Sequence, residues 1–269
     1  MNNFGTAHKE KKNSGDVIEQ LQKHLAQPEA DYPEDLIKQI IEQRDYATPK
    51  LLAMLENFLT NLPRDIDGSQ WIEGIVALFI LAKLREQKVF PYVVRLCSIP
   101  HKAVEPLLGD VADYVAEFLA STFNGDWKAL HSLVTNQHLD EYMRGAVLDA
   151  YVILYKNKVM SREDILKVFS DLFNELKNDF SLVPSMLISN CCDIHATELS
   201  DQINKYFDND IVELSFISRD DVKDVFSLPQ KIALETLFNS SAYNFIGNLK
   251  DSMGWLFEND EDCDGHDHH

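Results

Sequence analysis

Residues Trp71 to Leu84 read WIEGIVALFILAKL, and this stretch decides the fold. A helix that is apolar nearly all round packs between other layers rather than on one surface. Its unbroken apolar run, Ile75 to Ala82, falls far short of the roughly 18 residues that cross a bilayer, so it reads as a buried helix of a water-soluble protein. Asp67-Gly68-Ser69-Gln70 supplies capping side chains ahead of it, and Lys83, Arg85 and Lys88 suit the negative end of the helix dipole.

Upstream, Val17, Ile18, Leu21 and Leu25 form one short amphipathic pattern. Leu36, Ile37, Ile40 and Ile41 form a second after Pro33, and Leu51, Leu52, Leu55, Phe58 and Leu59 a third that Thr48-Pro49 is expected to open. Downstream, Gly109-Asp110 and Gly125-Asp126 each end one helix and start another, with Gly as a left-handed cap and Asp as an N-cap. Asp140 caps YMRGAVLDAYVILY, the second strongly apolar element, and Ser161 with Asp164 resembles a capping box. Ile211 to Ile217 alternates in part but is expected to link two helices. Leu84 to Val89 aligns with Leu154 to Val159 at an offset of 70 residues, about two helical hairpins. The expected fold is all-α, an α-α superhelix of about a dozen helices. Residues 1–15 are expected to be a disordered lead, 16–257 a single helical repeat domain and 258–269 an acidic, His-rich disordered tail.

With the helices placed, GIVALFILAKLREQKVFPYVVRL, EPLLGD, FNGDWKALHSLV, DEYMRGAVLDAYVIL and SNCCDIHATEL, in that order, resemble a bacterial domain-of-unknown-function family, number eleven eighty-six. The likeness covers roughly Asp35 to Phe226. It implies HEAT-like helical hairpins with no established activity. Members of that family also end in a SEC-C zinc motif, whereas this chain ends FENDEDCDGHDHH with one Cys, so no zinc site is carried over.

The 44 Asp and Glu against 25 Lys and Arg give net −19, which repels nucleic-acid phosphates and anionic membranes. Neither nucleic acid nor membrane is an expected partner. The four cysteines make no disulfide framework, and the polar N-terminus has no signal-peptide core, so a cytoplasmic, reducing setting is expected.

Three clusters are candidates for chemistry. Cys263, His266, His268 and His269 lie within seven residues of one another and are metal ligands by type, although a chain end offers no second shell to hold them. A weakly bound divalent ion there is the one cofactor candidate. Cys191, Cys192 and His195 could share a helix face, yet Cys is among the most buried residue types and core packing explains the pair. Asp110 and Asp126, with His131 and His138 nearby, could run acid/base chemistry, although capping explains both acids. Trp71, Trp127 and Trp255 read as core anchors.

The leading functional expectation is a non-enzymatic repeat module that binds a protein or peptide, for which net −19 suits a basic partner, on its concave surface. A metal-dependent or carboxylate-based hydrolase with a site near Asp110 and Asp126 is the first alternative, and metal handling by the tail is the second.

Overall fold

The computed structural model describes residues 16–62, 68–99, 102 and 107–258. Among them are fourteen α-helices and no strand. They are α1 (Val17–Leu25), α2 (Glu34–Glu42), α3 (Arg44–Asn61), α4 (Gly68–Lys83), α5 (Phe90–Cys97), α6 (Val115–Thr122) and α7 (Trp127–Thr135). After these come α8 (Glu141–Lys156), α9 (Arg162–Glu175), α10 (Val183–Asp193), α11 (Ser200–Asp208), α12 (Arg219–Ser227), α13 (Gln230–Asn239) and α14 (Leu249–Met253).

The helices stack in two rows. Helix α4 packs on α3 and α6, α6 on α8, and α8 on α10, making an inner row. Helices α5, α7 and α9 cover its outer side. Every residue from Ile75 to Ala82 is fully buried, because α4 has neighbours on all sides and its sequence offers no polar face. Close approach sets small residues where neighbouring helices touch. A Cβ on Gly74 of α4 would lie 2.4 Å from Phe58 of α3, and one on Gly145 of α8 would lie 2.2 Å from the Met186 sulfur of α10.

The repeat is visible at the helix ends. Arg85, Lys158 and His195 follow α4, α8 and α10, and all three are left-handed, with φ of 58°, 62° and 51°. Each closes a Schellman turn: Glu86 N–H donates to the Leu81 carbonyl (3.1 Å), Val159 N–H to Leu154 (2.9 Å) and Ala196 N–H to Cys191 (2.8 Å). The caps stand 73 and 37 residues apart, a period near 37. This corrects the offset of 70, in which the lettering paired Leu84 with Leu154; in the turns, Leu154 corresponds to Leu81.

Three other local expectations are revised. Helix α3 begins at Arg44, and Pro49 lies inside it, far enough from the start to remove one ladder bond without ending the helix. Asp110 is not an N-cap: the turn Gly109–Tyr114 has no side-chain cap, and Asp110 falls within its first residues. Trp127 is 37% exposed, packed on Phe123 and stacked on Tyr151, so it covers the core from outside. By contrast, Gly125 (φ 96°) and Asp126 punctuate α6 and α7 as expected, and Ser161 and Asp164 form a complete capping box. A second box, Ser218 with Asp221, opens α12. No described helix is long and apolar enough to cross a membrane.

One buried ion pair fixes the middle of the stack. Arg144 of α8 is 1% exposed; its Nε donates to the Val134 carbonyl (2.8 Å), its Nη1 to Ser181 Oγ (3.3 Å), and its Nη2 pairs with Asp179. The guanidinium thereby ties the end of α7 and the start of α10 to α8.

Candidate binding cleft

Two features occupy the inner face. The first is a strap made by the chain itself. After α13 the backbone turns irregular from Ser240 and passes over the C-terminal ends of α10, α8 and α6 and the turn after α4. At α10, Tyr243 donates its hydroxyl to Asp193 Oδ2 (2.7 Å). At α8, Lys156 Nζ donates to the carbonyls of Ser240 (2.7 Å) and Ala242 (2.6 Å), and Asn157 Nδ2 to that of Tyr243 (3.3 Å). At α6, Ser121 Oγ accepts from Ile246 N–H (2.9 Å), and beyond α4 the Arg85 guanidinium lies 3.9 Å over the Phe245 ring. Ile246, Leu249 and Met253 are buried, and Phe257 meets Tyr32 edge-on. Most polar contacts read the strap's backbone, which bends through residues 241–243 and is left-handed at Tyr243 (φ 56°).

The second feature is a cavity of about 650 Å³ beside the strap, over the N-terminal halves of α6 and α8 and the middle of α10. Asp110 and Asp113 line it from the turn before α6, Asp140 and Asp149 from α8 and Asn190 from α10. No Lys, Arg or His is among the described residues that line it. Ala112, Ala116, Gly145 and Ala146 keep the walls low, while Tyr142 and Phe216 stand at the rim, 60% and 45% exposed.

Electrostatics distinguish this cleft from an ordinary acidic surface. Asn190, 2% exposed, donates Nδ2 to Asp149 Oδ1 (2.7 Å), while its own Oδ1 is shut off from solvent and accepts from none of the described groups. Glu117 sits one turn beyond Asp113 on α6, and its Oε2 is likewise buried and unpartnered. Burial, with repulsion from Asp149 and Asp113, pushes the Glu117 carboxyl up to about 7. Burial and the nearby Asp193 charge push Asp149 up to about 6, against the opposing hydrogen bond from Asn190. Asp193 is raised by burial too, although the Tyr243 hydroxyl offsets part of it. No described cation pairs with Glu117, Asp149 or Asp193. An unsatisfied buried acceptor costs ~1–3 kcal/mol, so Glu117 and Asn190 are held here at some expense of stability.

The residues singled out in sequence fall in different places. Asp110 lines the cavity, but Asp126 caps α7, accepting from Ala129 N–H (3.0 Å), and does not line it. The proposed Asp110–Asp126 acid pair is therefore not brought together. His131 bonds Glu175 (2.9 Å), and the His138 N–H bonds Asn136; neither reaches the cleft. Cys191 is fully buried and Cys192 partly so, and burial raises both thiols, Cys192 to about 12. His195 lies past the end of α10 in its left-handed turn, with Nε2 3.0 Å from the Leu228 carbonyl, which is why it does not share a helical face with Cys191. The described residues contain no group of three or more potential metal ligands. Cys263, His266, His268 and His269 lie outside the described residues, as do the lead and the rest of the tail beyond Glu258. Glu117, Asp149, Asn190 and Tyr243 are not among the residues that the sequence singles out. A signal existed for two of them: Glu117 in VAEFLA and Asp149 in GAVLDAYVIL are lone acids inside apolar helices.

Residues 15–259 match the family described as Protein of unknown function (DUF1186). The chain belongs to this family. It is also 27% identical over 195 residues to an "Uncharacterized protein" of Chlamydia trachomatis serovar D, covering 72% of this chain and 77% of that one. An "Uncharacterized protein" of Chlamydia muridarum (strain MoPn / Nigg) is 27% identical over the same length, 72% of this chain and 78% of the relative. No solved structure matches the chain.

Proposed function

We propose that this chain is a binding module, without catalysis of its own, that holds a protein or peptide partner on the inner face of its helical stack. The observation that carries the reading is the open cavity between Asp110, Asp149 and Asn190, with Tyr142 and Phe216 exposed at its mouth. Concave sites with aromatic rims and a few convergent polar groups are where partners dock, and Tyr is enriched among the residues that dominate such binding. The strap supports the same reading, because the adjoining strip of inner face already holds an irregular segment of the chain through backbone contacts. A cytoplasmic setting suits the unpaired thiols of Cys97, Cys191 and Cys192.

The test is site-specific photo-crosslinking in the native cell. Tyr142 at the rim is replaced by p-benzoylphenylalanine, and Lys167 on outer helix α9 is replaced in the same way as a control. The expected result is a discrete crosslinked species from position 142 and none from 167. Identical patterns from both positions, or no species from 142, would overturn the module.

A further inference from the structure

We propose that the strap is a pH-responsive latch, seated on the inner row while the carboxyl groups beneath it hold their protons and loosened between Ser240 and Ile246 as they ionise. A short polar chain ties the strap to two acids. Asn190 of α10 donates to Asp149 of α8 (2.7 Å) and is also a hydrogen-bond partner of the Tyr243 hydroxyl, which donates to Asp193 (2.7 Å). Tyr243 is the strained point of the strap. Its backbone is left-handed (φ 56°), a conformation uncommon for a bulky side chain and kept only where surrounding contacts impose it. The hydroxyl bond and the donation from Asn157 to the Tyr243 carbonyl (3.3 Å) are those contacts. Weakening them lets the backbone at Tyr243 relax, while buried Leu249 and Met253 keep α14 on the stack.

Ionisation loosens the seat because the two acids lack a countercharge: the groups packed around them are acidic or committed elsewhere. Glu117 and Asp113 stand on the α6 side, and Asp110 and Asp140 across the cavity. On α8 itself, Arg144 pairs with Asp179, and Lys156 gives its ammonium to the Ser240 and Ala242 carbonyls. His131 of α7 meets Glu175 of α9, and Arg162 of α9 is held by Glu198 and the carbonyls of Ile194 and His195. Asp221 of α12 adds a further acid near Cys192, and Lys231 of α13 faces Glu235. Tyr243 contacts Asp193 directly and reaches Asp149 through Asn190, and burial raises both acids, Asp149 from 3.8 to about 6. A raised acid favours the seated state below its ordinary value and loses that advantage as pH rises through the raised one. The latch is therefore tight near pH 4 and loose from about pH 6 upward. Loosening uncovers the C-terminal ends of α6, α8 and α10, which lengthens the inner face open to a partner at neutral pH.

Amide hydrogen exchange of the full chain tests the latch, read by NMR from about pH 4.5 to 7 and corrected for the intrinsic pH dependence of exchange. The reporter is the Ile246 N–H, bonded to Ser121 Oγ. If opening returns Asp149 to its ordinary value, the opening constant at Ile246 rises roughly twentyfold over this range. Ile246 should exchange faster than Val152, in the buried core of α8, at every pH, because only the strap opens. In a chain carrying Asp149→Asn and Asp193→Asn, both side chains still accept hydrogen bonds but cannot ionise, so Ile246 should stay slow and most of the rise should disappear. Asp126→Asn, at the cap of α7, should keep the wild-type profile. A wild-type opening constant that does not rise, equal rates at Ile246 and Val152, or an unchanged rise in the folded double variant overturns the latch. Should the double variant not fold, the wild-type profile and the comparison with Val152 decide alone.

Discussion

Replacing Glu117 by Met should stabilise the protein, and by an amount that depends on pH. Glu117 is partly buried on α6 with Oε2 unpartnered, facing Asp149 and Asp113. Its carboxyl is raised from an ordinary 4.5 to about 7 in the folded chain, chiefly by burial. Below pH 4.5 the group is protonated folded or unfolded and contributes nothing. Between 4.5 and 7 the unfolded chain ionises first, so stability falls as pH rises, and above 7 the full difference persists. That difference amounts to about 3 kcal/mol at 1.36 kcal/mol per pH unit. Methionine has similar length and no charge to desolvate, so Glu117→Met should gain up to about 3 kcal/mol at pH 8 and much less at pH 4.5. For a chain of this size this is roughly 5–10 °C in midpoint. Urea or thermal melts of both proteins from pH 4.5 to 8 provide the assay, read as the gap between the curves. Parallel curves would refute the reasoning, because they would mean that Glu117 carries no raised pKa and the inner face does not hold it at a cost.

The remaining predictions concern the stack, the strap and the thiols. Arg144→Met should cost about 3–5 kcal/mol by leaving Asp179 buried and unpaired, and adding Asp179→Leu should restore much of it; chemical denaturation of the single and double variants checks this, and additive losses would sink the pair as a unit. A chain ending at Asn239 should lose several kcal/mol, because Ile246, Leu249 and Met253 are buried and each full burial contributes roughly 1.5–3 kcal/mol. A chain ending at Glu258 should melt within about 2 °C of the full chain with or without zinc, since the removed sequence has no apolar face; a zinc-dependent rise confined to the full chain would instead make Cys263, His266 and His268 a site. Cys191 should react with a thiol reagent only after unfolding, as judged by labelling and mass spectrometry with Cys97 and Cys263 replaced by Ser.

Regular elements left a period in the sequence, and irregular ones did not. The buried helix at Trp71 to Leu84 was legible because a segment apolar on every side has no face to turn to water, and the caps at Asp126, Asp140 and Ser161 because a side-chain oxygen before a periodic run has one common use. The repeat offset came out three residues short because matching letters weighs Leu84 and Leu154 alike, whereas the turn is defined by backbone bonds that letters do not record. Asp110 misled for a related reason: Gly109 is left-handed as expected (φ 49°), but the next helix begins later, leaving the carboxylate at the cavity. The strap, SSAYNFIGN, has no periodicity at all, and its partners are scattered from Arg85 to Asp193. The lone acids at positions 117 and 149 were visible, yet their meeting across α6 and α8 required the stacking of two helices whose register the sequence does not state.

The three inner-row carboxyls that burial raises, Asp193, Asp149 and Glu117, are satisfied unequally. Asp193, at the end of α10, takes a hydroxyl from Tyr243, so the strap supplies the donor that burial would otherwise deny it. Asp149 takes one amide hydrogen from Asn190 and keeps one oxygen open. Glu117, raised by burial to about 7, has an oxygen that accepts from no described group. Packing alone does not call for it, since an apolar residue at position 117 would serve the α6–α8 contact at less cost. Where a fold is otherwise consistent from caps to core, local inconsistency of this kind is expected at functional or strained positions. The strap is by the same token a structural part: Asp193, Lys156 and Ser121 all find their partners in it, whereas Asn190 and Glu117 beside it wait for a donor.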